Sequence, residues 1–179
     1  MIGQTRDDAA GEAFDKVSKM MGLGFPWGAK IARLAQDYRD SWLVIRDLWK
    51  RLFPTVLLEK DSLDFSFSGI KTAVKREVDK ELAKKSILSE QFMQYIAYEF
   101  EEIVTDILAE KLLRALRQTQ SSIMLLAWGV SANSRLKEKL ESIALQEGVR
   151  LLAPKRILYS MDNAAMVWIR AYYQVRNTR

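Results

Sequence analysis

Ala10, Phe14, Val17 and Met21 recur at three- and four-residue steps among polar neighbours. That spacing lays one apolar stripe along a helix, expected over residues 5–21. Thr5 or Asp7 would cap its start, and Gly22 would stop it. Gly22, Gly24, Pro26 and Gly28 then form a turn-rich loop, followed by a helix over about residues 29–37. The pattern weakens over residues 38–60, where Pro54 interrupts it, so a connector or insertion is expected there. Leu63, Phe65 and Phe67 alternate with Asp64 and Ser66, the period of a short half-buried strand. A charged helix capped by Ser68 should run to about Lys85. Residues 89–120 read as one long helix, with Phe92, Ile96, Phe100, Ile103, Ile107 and Leu108 on one side.

The remaining pattern changes character. Residues 122–127 (SSIMLLA with its leading serine at 121) are short, apolar and followed by a turn, which predicts a buried strand. A helix over 131–146 ends at Gly148, and a strand over 149–152 is stopped by Pro154. A last helix is expected from Asp162 to about residue 175. Strand, helix, strand, helix in that order predicts an α/β sandwich with parallel neighbours. No repeat or low-complexity linker divides the chain, so residues 1–179 are expected to form a single lobe.

Composition narrows the chemistry. The chain has 179 residues, 49% hydrophobic and 28% charged, enough for a real core. It contains no Cys and no His. A disulfide framework, thiol catalysis, a Ser-His-Asp triad and an HExxH zinc site are therefore excluded within this chain. The net charge of +5 permits a polyanionic partner without requiring one. The acidic opening MIGQTRDDAAGEAFD has no hydrophobic signal core, and no apolar run approaches the roughly 20 residues that span a bilayer. A cytoplasmic location without a membrane partner is expected.

Three segments could carry chemistry. In α/β sheets ligands bind beyond the carboxyl ends of strands, where helix starts point free N–H groups outward. Trp128-Gly129-Val130-Ser131-Ala132-Asn133 leaves a strand and opens a helix, and the Asn133 amide can donate and accept. Ser160-Met161-Asp162-Asn163-Ala164-Ala165-Met166 places a carboxylate at the next helix start. Each has a plainer reading, Asn133 as a turn residue and Asp162 as an N-cap. In the third segment Glu12 and Asp15 share a helical face and could meet ribose hydroxyls or a cation. Taken alone, the segment favours a solvated helix face with Glu12 or Asp15 paired to Lys16 or Lys19. The stretch 71–85 mixes charge signs, as a solvated helix does, though its basic side could touch RNA phosphates.

Four segments, IGQTRDDAAGEAFDKVSKMMGLGFP, LDFSFSGIKTAVKREV, AWGVSANSRLKEKL and MDNAAM, together resemble the tRNA N6-adenosine threonylcarbamoyltransferase family. Older usage calls its members O-sialoglycoprotein endopeptidases. A peptidase has no support in a chain without His, Cys or a convincing serine nucleophile. The resemblance implies a two-lobed actin-like, hexokinase-like (ribonuclease H-like) α/β fold. It implies transfer of a threonylcarbamoyl group from threonylcarbamoyl-AMP to N6 of the adenine beside the tRNA anticodon. It also implies a divalent metal (iron or zinc), an inactive paralogue and an ATPase as partners. Asp15 and Gly28 match substrate-binding positions, Asp15 on ribose hydroxyls. Asn133 matches a nucleotide-binding amide, and Asp162 the carboxylate ligand of the metal.

The departures carry expectations of their own. The family's HxxxH metal ligands and its glycine-rich SGGHT-type loop lie upstream of everything present here. The chain is thus expected to be the C-terminal half of a transferase, inactive alone. The alternative is a non-catalytic scaffold or dimerisation module akin to the inactive paralogue. Ser160-Met161 stand where Cys-Thr is common, and Ala32 where many members have Asp. Trp27 and Trp128 precede Gly28 and Gly129 where the family has Gly-Gly, and Trp168 replaces a small residue. An indole there would overpack a nucleotide loop by typically about 1–3 kcal/mol. The working hypothesis is that Trp27, Trp42, Trp49, Trp128 and Trp168 are UGA codons meant as glycine. Reading them so raises glycine from 8 to the about 13 usual at this length. Finding UGG at Trp27 and Trp128 in the coding DNA would end that hypothesis.

Overall fold

Two consecutive turns of apolar spacing close into α1, Ala10–Met20, with Ala13, Phe14, Val17 and Ser18 buried. Gly22 ends it at φ +71°, its N–H donating to the Lys19 carbonyl. The computed structural model describes residues 1–24, 26–41, 52–53, 62–127, 129–154 and 164–176, with the backbone alone at Trp27 and at residues 164–167. After α1 come α2 (Trp27–Arg39), α3 (Ser68–Lys85), α4 (Glu90–Thr119), β1 (Ile123–Leu125), α5 (Ser134–Glu147), β2 (Arg150–Leu152) and α6 (Ala164–Arg176). This is an α/β protein rich in helices with a small parallel sheet. It divides into two compact units, residues 1–121 and 122–179.

In the first unit the long α4 is the spine against which α2 packs along its length. Ile96, Phe100, Ile103 and Ile107 are buried in the core, and Phe92 and Leu108 pack partly against it, which is the face expected from the spacing. The Phe14 and Phe100 rings meet edge to face at 5.0 Å, joining α1 to α4. The helix α2 runs two residues past its expected end, with Tyr38 buried against Tyr95 and Tyr98. The segment expected to be a connector therefore starts later than residue 38, and residues 42–51 and 54–61 lie outside the described part.

Two expectations about helix starts are corrected. Neither Thr5 nor Asp7 caps α1, whose N-cap is Ala9 without a side-chain bond. Nor does the Ser68 hydroxyl cap α3, since Ser68 is already helical. Asp7 instead reaches across the unit, accepting from Phe67 N at 2.9 Å, Ser68 N at 3.2 Å and the Ser66 hydroxyl. Cap geometry needs only a carboxylate at the free N–H groups, whichever part of the chain supplies it. The expected strand around Phe65 shrinks to a single parallel bridge with Thr5.

In the second unit β1 and β2 pair in parallel, Ile123 with Arg150, Met124 with Leu151 and Leu125 with Leu152. The helix α5 joins them and buries Leu136, Leu140 and Ala144. Residues 129–132 form a turn of 3-10 helix, so α5 starts three residues later than expected. The expectation of a fully buried strand is also corrected. Met124 is buried, but Leu125 is 71% exposed, because only one face of this sheet is covered within the described residues.

Candidate functional site

The loop after α1 returns the chain so that the start of α2 meets an α1 side chain. Asp15 Oδ1 accepts from Gly28 N at 3.1 Å. Pro26 is the N-cap of α2, so Gly28 is its second helical residue and carries one of the free N–H groups of a helix start. The carboxylate lies where the helix dipole favours negative charge. Two of the residues singled out by sequence, thirteen positions apart, are thus brought into direct contact. A Cβ at Gly28 would lie 3.5 Å from Asp15 Oδ1 and 3.6 Å from Phe14 Cβ, ordinary contacts. Nothing among the described residues requires glycine there.

Glu12 takes the plainer of its two readings. Its carboxylate pairs with Lys16 Nζ at 2.8 Å, and Lys16 also meets Asp8 at 2.6 Å. Asp8 binds Lys71 as well, tying α1 to α3. Hydrogen bonds from Lys16 and then Lys71 hold the Asp8 carboxyl below its ordinary value. The hydrogen bonds it donates to Asp8 and Glu12 push Lys16 up to about 12. For Asp7, burial raises the pKa, but the N–H groups of Phe67 and Ser68 and the Ser66 hydroxyl outweigh it and bring it down to about 2. Asp7, Asp8 and Lys16 are thereby held in their charged forms at neutral pH, a fixed electrostatic clamp rather than a proton donor.

Asn133 also serves its own helix. It is the N-cap of α5, its side-chain oxygen accepting from Leu136 N at 2.8 Å. Gly129 has open space where a Cβ would stand, so nothing in the described chain presses on it. Asp162 lies outside the described residues. Several basic side chains of α3 are engaged with acids, Lys75 with Asp79, Lys80 with Glu77 and Lys85 with Glu81, as on a solvated helix. Trp168 stacks on Tyr172 with centroids 6.2 Å apart and is 71% exposed, so the expected overpacking is not met there. Trp42, Trp49, Trp128 and the Trp27 side chain lie outside the described part.

The sequence reading missed the buried charges of α4. Arg39 Nη2 donates to Glu101 at 2.6 Å and Nη1 to Glu102 at 3.1 Å, while Glu99 accepts from Leu52 N. Lys111 is buried and donates to the Ser62 carbonyl; burial, then the Arg114 charge, lowers its pKa. Helical periodicity places these residues but cannot tell a solvated acid from one that finds an arginine on another helix. Among the described residues no three His, Cys, Asp or Glu side chains converge where a cation could sit.

Two parallel strands joined by a helix, beside a largely helical unit, define an α/β protein. Residues 1–168 match the family model of tRNA N6-adenosine threonylcarbamoyltransferase, and the chain belongs to that family. It is 44% identical over 172 residues to the tRNA N6-adenosine threonylcarbamoyltransferase of Desulforapulum autotrophicum, covering 96% of this chain and 48% of the relative. The protein of that name from Magnetococcus marinus is 42% identical over 167 residues, 93% of this chain and 44% of the relative. That from Clostridioides difficile is 38% identical over 177 residues, 99% of this chain and 49% of the relative. The chain thus spans about half the length of the curated relatives it matches.

Proposed function

We propose that this chain is the C-terminal half of a tRNA N6-adenosine threonylcarbamoyltransferase with an actin-like fold, and that it holds the nucleotide end of the donor. In the reaction, N6 of the adenine beside the anticodon attacks the carbamoyl carbon of threonylcarbamoyl-AMP. The bond from that carbon to the phosphate oxygen breaks, AMP leaves with the electron pair, and the amine proton passes to water. Family membership over residues 1–168 supports the class of reaction. The observation that carries the site is the Asp15–Gly28 hydrogen bond, which fixes a carboxylate at the start of α2. There Asp15 accepts from ribose hydroxyls, and Asn133 contributes its amide at the start of α5. Asp162 supplies one ligand of a divalent metal, iron or zinc, which polarises the carbamoyl oxygen when bound. The two remaining ligands are histidines of the half not spanned here. The proposal includes tRNA, the inactive paralogue and the ATPase as partners, and the cytoplasm as the location. No helix among the described residues is long and apolar enough to cross a membrane.

One observation favours a second reading, a scaffold: the Asn133 side-chain oxygen caps its own helix. Equilibrium binding of AMP to the purified chain separates the two. The transferase reading expects saturable binding that Asp15→Ala weakens at least about tenfold, the loss of a charged hydrogen bond. No binding by the parent chain would leave the scaffold. Transfer to tRNA is then measured after adding the other half of a family member, with no product expected from this chain alone.

A further inference from the structure

We propose that one ridge of α3, formed by Arg76, Lys80 and Lys84, is a contact surface for the phosphate backbone of tRNA. The inference rests on the functional reading above and names where this half of the protein meets its RNA substrate. The three residues follow one another at steps of four, so they stand on a single ridge with about 6 Å of helix between neighbours. Arg76 and Lys80 are 67% and 56% exposed, and Lys84 is exposed in the last turn. Ile70, Val74 and Val78 on the buried side of α3 anchor the ridge to the core of the first unit.

Charge balance sets this ridge apart from the rest of the helix. Lys71 is met by Asp8, Lys75 by Asp79 and Lys85 by Glu81. On the ridge a single carboxylate, Glu77, serves two cations, Lys80 at 2.7 Å and Arg76 at 3.8 Å. Lys84 makes no ion pair among the described residues. Three cations thus face one carboxylate. Opposite charges four apart support a helix, whereas like charges at that spacing repel. The row is therefore a cost to the free helix that a line of phosphates relieves, with release of the counterions those phosphates hold. The fourth member of the ridge is Thr72, whose hydroxyl is engaged with the Ser68 carbonyl. With no aromatic side chain among them, these four residues offer charge to a backbone and no platform for bases. RNA is the polyanion that a reaction of this family brings to the protein.

Binding of a tRNA transcript to the full chain, followed by fluorescence anisotropy from about 50 to 200 mM salt, tests this. Replacing all three residues (Arg76→Gln, Lys80→Gln, Lys84→Gln) should weaken binding at least about tenfold at the lower salt. It should also make the logarithmic salt dependence shallower by about 2, since each lost phosphate contact removes about 0.7–0.9. Lys84→Gln alone should remove about 0.8. Lys75→Gln with Asp79→Asn deletes a matched pair, leaves the charge of α3 unchanged and should do neither. Every substituted side chain is exposed, so all variants should keep the far-UV circular dichroism of the parent. No tRNA binding by the parent, an unchanged salt slope in the triple variant, or an equal loss in the matched-pair control would overturn the proposal. AMP binding read on the same samples keeps the two ideas apart. AMP binding by a chain whose tRNA affinity ignores the ridge removes this proposal alone; tRNA binding through the ridge without AMP binding removes the nucleotide site alone.

Discussion

The two units handle their apolar surface differently. In residues 1–121 four helices enclose a common core from Ala13 to Ile107, and even the charges on α4 are met from inside the unit by Arg39 and by backbone groups. Among the described residues of 122–179, Met124, Leu136, Leu140 and Ala144 are buried, while Ile123, Leu125, Leu145, Leu152, Trp168, Ile169, Tyr172, Tyr173 and Val175 are exposed. The first unit is built of helices, the second of a two-stranded parallel sheet with its helices. What differs is whether the partner of each apolar face lies within the unit. A helix pair closes on itself through local contacts, whereas a parallel sheet needs strands and layers brought from elsewhere in sequence.

The largest effect that would break this contrast is in the first unit. Arg39→Ala removes a guanidinium paired with Glu101, whose side chain is 1% exposed, and with Glu102, and should cost about 3–5 kcal/mol in urea unfolding. A loss below about 1 kcal/mol would mean that water reaches those carboxylates, and the unit is less closed than described. Asp7→Ala comes next, at about 1 kcal/mol, the usual worth of a helix cap, because the carboxylate is exposed and its charge is screened. Its folded pKa of about 2 lies below the ordinary 3.8, so the contribution is complete above about pH 4 and fades as pH falls towards 2. The difference in unfolding free energy between parent and variant should therefore vanish in acid, and a constant difference down to pH 2 would contradict the cap.

Asn133→Ala should also remove about 1 kcal/mol, but locally. Amide exchange should quicken in α5 and leave α1, α2 and α4 unchanged, if the units open independently. Spread of the effect into α4 would show that they unfold together. The smallest effect is expected on α3, where Lys75→Ala removes an exposed pair with Asp79 and should change stability by less than about 0.5 kcal/mol.

Much of this organisation was legible in the chain. The stripes of α1 and α4 and the glycine stops at Gly22 and Gly148 follow from 3.6-residue periodicity and from the freedom of glycine at positive φ. The order of β1, α5, β2 and α6 followed from the change of period. The pairing of Asp15 with Gly28 was named as two separate positions, and the resemblance of the motifs, rather than any spacing rule, put them on one ligand. Asp162 was also named, and it lies outside the described residues.

By itself, then, the sequence determined what repeats within a few residues: helix faces, stops, the absence of His and Cys chemistry, and the family its motifs belong to. Only the tertiary structure decided which acid serves which helix. Asp7 leaves the helix it precedes and caps α3 some sixty residues on, while Glu101 and Glu102 turn inward to Arg39. The reason is physical. A helical period is set by local geometry that every residue carries with it. The partner of a free N–H or a buried charge is set by which distant segment arrives first with the right group, and no local pattern records that arrival.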